Sequence, residues 1–81
     1  MTGFEFHRLH NALSVQDVSS VLGIRPQTIY NWENKKAIPN SELLIKVARL
    51  YGVIIDDLLK EYPNPIEECK KRLEVYENGT G

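Results

Sequence analysis

Gly23, Ile24, Arg25 and Pro26 limit the possible folds of this chain more than any other four residues. Glycine takes the left-handed backbone that ends a helix. Proline has no N–H to lose in a first helical turn, and it holds the residue before it extended. One helix must therefore stop at Gly23 and another open at Pro26, with a tight turn between them. Val15, Val18 and Leu22 form an apolar stripe before that turn, and Ile29 and Trp32 face back after it. Ser14, with Asp17 three residues on, is a capping-box-like start for the first of the pair: the hydroxyl accepts from a free backbone N–H and the acid favours the positive helix end.

The flanking sequence predicts three further helices up to about Glu61. Phe6, Leu9 and Leu13 lie at helical spacing in a first helix, with Arg8, His7 and His10 on its other faces. Beyond the polar, basic loop from Asn34 to Ala37, Pro39 and Asn40 punctuate a new start, with Asn40 as N-cap and Glu42 in the first turn. Leu44, Val47, Ala48 and Tyr51 make its buried stripe, and Gly52 ends it. Ile55, Leu58 and Leu59 form a short fifth helix begun by Asp56 and Asp57. Residues 1–61 thus read as one all-α unit. Residues 62–81 read as a proline linker, an amphipathic C-terminal helix carrying Ile66, Cys69, Leu73 and Tyr76 on one side, and a frayed end. That stripe either folds back on the first five helices or pairs with another copy.

Two short helices joined by a glycine-containing turn, with apolar residues of the second facing back, are what a helix-turn-helix requires. Val18, Ser19, Leu22, Gly23, Ile24, Ile29 and Trp32 supply its interior. Over roughly Phe4 to Leu59 the sequence resembles the lambda-repressor and Cro-like (XRE-type) helix-turn-helix family. The likeness is carried by the run from Ser14 to Glu33, by Lys35, Lys36 and Pro39 after it, and by Leu50, Tyr51, Gly52 and Val53 ahead of Asp56, Asp57, Leu58 and Leu59.

The resemblance implies a five-helix bundle whose third helix enters the major groove of duplex DNA as part of a transcriptional repressor. The base-reading positions fall on Pro26, Gln27 and Asn31, with Tyr30 beside them. An amide can accept from adenine N6 and donate to N7 at once, so Gln27 and Asn31 suit that task. Arg25 and Thr28 before and within the helix, Asn34, Lys35 and Lys36 after it, and Gln16 on the preceding helix are the phosphate contacts. Pro26 departs from the family by offering apolar contact only. Val15 stands where relatives commonly carry a phosphate-binding Gln. Arg8 and Glu33 match positions that form a structural ion pair.

Other functions find little support in the residues. His7 and His10, read as exposed, offer two ligands where zinc needs three or four, and Cys69 lies far away in sequence. No nucleophile triad, phosphate loop or paired-carboxylate pattern is present, so neither an enzyme nor a cofactor site is expected. No apolar run is long enough for a membrane span, which leaves a cytoplasmic location as the expectation. The net charge of −1 runs against DNA binding, but the excess acid is in the tail. Residues 1–60 carry seven Lys or Arg against six Asp or Glu, and residues 61–81 carry three against five. A homodimer on paired half-sites is one expectation. The rival is a helix-turn-helix protein acting mainly through a protein partner, such as a phage-type repressor modulator or an antitoxin.

Overall fold

A computed structural model describes residues 1–64 as five α-helices: α1 (Gly3–His10), α2 (Val15–Leu22), α3 (Pro26–Glu33), α4 (Ser41–Tyr51) and α5 (Ile55–Leu59). Ile66, Cys69, Leu73 and Tyr76 lie outside the described residues. Local chemistry fixes most helix ends. The Ser14 hydroxyl accepts from the Asp17 N–H at 3.0 Å while the Asp17 carboxylate accepts from the Ser14 N–H at 2.9 Å, a complete capping box. Asn40 caps α4 through the Leu43 N–H, and Gly52 closes it in the left-handed conformation.

The core joins Phe4, Val15, Val18, Ile29, Trp32, Val47, Ala48, Tyr51 and Leu58. Helix α2 packs chiefly on α3, α4 packs on α5, and α1 bridges α3 and α5. Val18 and Ile29 are sealed from solvent, and burying an aliphatic side chain of that size is worth about 1.5–3 kcal/mol. The Phe4 ring meets Trp32 with centroids 6.1 Å apart, tying α1 to α3.

Helix α1 differs from its sequence-based expectation. Its buried aromatic is Phe4, whereas Leu9 is half exposed and Leu13 lies beyond the helix end at Asn11. Contacts distant in sequence accompany the difference: Phe4 packs on Trp32, and Phe6 meets Tyr62. Tyr62 returns to stack on Phe6, with ring centroids 4.2 Å apart, and exchanges backbone hydrogen bonds with Met1. The Tyr62 hydroxyl also meets His7 Nε2 at 3.0 Å, so His7 is half-buried where the sequence placed it in solvent. Tyr62 is therefore docked onto the helical body where the sequence suggested the start of a linker. Helix α5 opens one residue before the acidic pair, and it buries Leu58 but leaves Leu59 exposed.

Two residues at the start of α1 have roles that the sequence analysis did not assign. Gly3 sits so close to α5 that a Cβ there would lie 2.2 Å from the Asp57 carbonyl oxygen. The Thr2 hydroxyl accepts from the Glu5 N–H at 3.3 Å, capping α1, and donates to the Glu33 carbonyl at 3.2 Å. Thr2 also forms an isolated antiparallel bridge with Glu61.

Candidate nucleic-acid interface

The turn between α2 and α3 is built by three residues. Gly23 takes φ 67° and ψ 34°, which an L side chain adopts only under strain. Its N–H and that of Ile24 both donate to the Ser19 carbonyl, and the Ser19 hydroxyl donates forward to the Ile24 carbonyl at 2.5 Å. Ser19 thus does more than fill the close contact between helices: its side chain fastens the turn. Arg25 is extended ahead of Pro26, and α3 opens without a side-chain cap. Pro26 has no N–H there and the Thr28 N–H donates to the Arg25 carbonyl at 3.0 Å, so the first turn is closed by the backbone alone.

Helix α3 buries Ile29, Trp32 and Glu33. Gln27 and Tyr30 are exposed, while Pro26, Thr28 and Asn31 are half-buried. Gln27 and Asn31 are joined: Gln27 Nε2 donates to Asn31 Oδ1 at 3.0 Å. That bond leaves Gln27 Oε1 and one of its N–H groups available. A single amide face can therefore still offer an acceptor beside a donor, which is the pattern complementary to adenine in the major groove.

The far end of α3 is held by a buried ion pair. Arg8 Nε and Nη2 donate to the two Glu33 carboxylate oxygens at 2.7 and 3.1 Å, and Nη1 donates to the Leu13 carbonyl at 2.9 Å. The Arg8 and Glu33 side chains are only 11% and 5% exposed. Hydrogen bonding to Glu33, against the opposing cost of burial, raises the Arg8 pKa above its already high ordinary value. The guanidinium is spent on these contacts.

Among the residues expected to hold phosphate, Gln16, Arg25, Asn34, Lys35 and Lys36 are exposed and Thr28 is half-buried. Val15, at the first position of α2, is buried in the core and points no polar group outward. Lys35 follows α3 in the left-handed conformation at φ 63°, and its ammonium reaches Glu61 at 2.5 Å. The hydrogen bond to Lys35 holds the Glu61 carboxyl below the usual range. Lys36 makes no ion pair among the described residues.

Residues 7–58, more than half of the chain, match the helix-turn-helix family. The chain belongs to the helix-turn-helix family. This helix-turn-helix chain is 38% identical over 53 residues to an uncharacterized HTH-type transcriptional regulator of Methanocaldococcus jannaschii, covering 65% of itself and 79% of the relative. It is also 31% identical over 65 residues to an endothelial differentiation-related factor 1 homolog of Danio rerio, covering 80% of itself. It spans 43% of that relative's length. No solved structure is significantly similar to the chain. Among the described residues, no helix is long and apolar enough to cross a membrane, and no group of His, Cys, Asp or Glu is arranged to hold a metal ion.

Proposed function

We propose that this helix-turn-helix protein binds duplex DNA sequence-specifically and regulates transcription as a repressor, inserting α3 into the major groove. The observation that carries the reading is the hydrogen-bonded Gln27–Asn31 pair on the outward side of a helix whose other side is anchored by Ile29, Trp32 and Glu33. Gln27 and Asn31 read base edges, with Pro26 and Tyr30 adding apolar contact beside them. Arg25, Thr28, Asn34, Lys35, Lys36 and Gln16 hold phosphates and set register without reading sequence. Two copies on an inverted repeat present their reading helices about 34 Å apart. The archaeal relative's name as a transcriptional regulator supports this reading.

Selection of bound duplexes from a random library, followed by a salt titration on the winner, tests the proposal. We expect a symmetric enriched motif whose log affinity falls by roughly 0.9 per phosphate contacted for each log unit of salt. No enrichment, or affinity indifferent to salt, overturns it. A second reading, action mainly through a protein partner, draws on two observations: Val15 is buried where a phosphate contact is common, and Glu61 already occupies Lys35. Salt-indifferent behaviour on DNA is its expected signature.

A further inference from the structure

Lys35 differs in two ways from the other cations expected to hold phosphate. Among the described residues it is one of two besides glycine in the left-handed region, at φ 63°, where glycine or asparagine would sit at less cost. A lysine kept in that conformation points to a task for its side chain. It is also already paired. Arg25 and Lys36 form no ion pair among the described residues, whereas the Lys35 ammonium meets Glu61 Oε1 at 2.5 Å.

The carboxylate on Lys35 is held in place from behind. Glu61 pairs with Thr2 in the isolated antiparallel bridge, and Tyr62 next to it exchanges backbone hydrogen bonds with Met1 and stacks on Phe6. The second carboxylate oxygen of Glu61 lies 3.6 Å from the Met1 ammonium. Thr2 in turn donates to the Glu33 carbonyl, two residues before Lys35. The backbone carrying Glu61 is thus fastened to the start of α1, and the start of α1 to the end of α3, so acid and lysine are presented to each other. Both side chains are more than half exposed. Lys35 can therefore exchange partners without leaving a buried charge behind.

A carboxylate and a phosphate offer an ammonium the same thing, anionic oxygens at hydrogen-bond distance. We infer that Glu61 is a built-in competitor of DNA phosphate for Lys35, and that it lowers affinity for all duplex sequences alike. It acts twice: Lys35 must give up one anion to take another, and the displaced carboxylate then faces the negatively charged duplex. Because the contact it contests carries no sequence information, the readout by Gln27 and Asn31 is untouched. The inference rests on the phosphate-holding role of Lys35 in the proposed function.

The test measures binding of the full chain to duplexes of mixed random sequence at low salt, with urea unfolding to confirm that each variant is folded. Glu61→Gln is expected to tighten binding about threefold or more. The same change made beside Lys35→Gln is expected to give less than half of that gain on a logarithmic scale, and beside Lys36→Gln the whole of it. An NMR titration of the Glu61 carboxyl without DNA checks the pair itself. Lys35 holds that carboxyl below its ordinary range, so Lys35→Gln is expected to raise the midpoint. A midpoint indifferent to Lys35, a Glu61→Gln variant that binds no more tightly than wild type, or a gain undiminished without Lys35 overturns the inference. Each of these leaves the reading of α3 standing, whereas failure of every form to bind duplex overturns both.

Discussion

Arg8 grips both carboxylate oxygens of Glu33 while its third nitrogen holds the Leu13 carbonyl, so one side chain binds the first helix, the loop after it and the end of α3 together. The pair is shielded from water, and the partner left behind after a single truncation has no substitute charge. We expect Glu33→Ala or Arg8→Ala to cost about 3 kcal/mol or more in urea unfolding. Replacing both by apolar residues of similar volume should cost far less than either single change, since no unpaired charge remains.

Two glycine substitutions should separate strain from collision. Nothing lies within 4 Å of where a Cβ on Gly23 would be, so Gly23→Ala bears only the left-handed backbone penalty, about 1 kcal/mol. A Cβ on Gly3 meets the α5 backbone, which cannot swing aside. Gly3→Ala should cost about 3 kcal/mol or more, at the upper end of overpacking penalties, as thermal unfolding would measure. Equal effects at the two positions would contradict the close packing of α1 on α5.

On DNA, Gln27→Ala should lower preference for the selected sequence by about 1–3 kcal/mol while leaving non-specific binding almost unchanged. The hydrogen bond between Gln27 and Asn31 adds a sharper expectation. Removing either amide frees the other to wander, so the double variant should lose less than the sum of the singles, by about 0.5 kcal/mol or more. Strict additivity would mean that the two side chains act independently.

Acid should expose the α2 capping box. Bonds from the Ser14 backbone and then its side chain hold the Asp17 pKa below its ordinary value in the folded chain. A carboxyl with a depressed folded pKa contributes stability above its unfolded pKa, about 3.9, and loses it as pH falls through the folded value. Wild type should therefore exceed Asp17→Asn in stability at neutral pH, and the gap should narrow as the medium is acidified below about pH 4. A gap that stays constant through that range would deny the carboxylate its role.

Helix boundaries were legible in the sequence where they depend on neighbours a few residues apart. Ser14, Gly23, Pro26, Asn40 and Gly52 each act on backbone groups within one turn, and each stands at the helix end it was expected to mark. The inner stripes of α2 and α4 were legible for the same reason. Helix α1 was not. Phe4 is buried against Trp32 and Phe6 is covered by Tyr62, both far off in sequence, and a period-based reading contains no information about such contacts. The contact of Gly3 with α5 and the bond from Thr2 to Glu33 are equally remote in sequence. A small residue beside a hydroxyl at the chain's start was the available hint. On α3, spacing alone put Gln27 and Asn31 on one face, but the bond between them and the occupation of Lys35 by Glu61 required coordinates.

The Thr2 hydroxyl is one oxygen with two obligations, receiving a proton from the first helix and giving its own to the last carbonyl of the third. Valine has nearly the same shape and can do neither; serine can do both. A displaced Thr2 would consequently disturb the start of α1 and the end of α3 together, at the residue whose carboxylate Arg8 already holds.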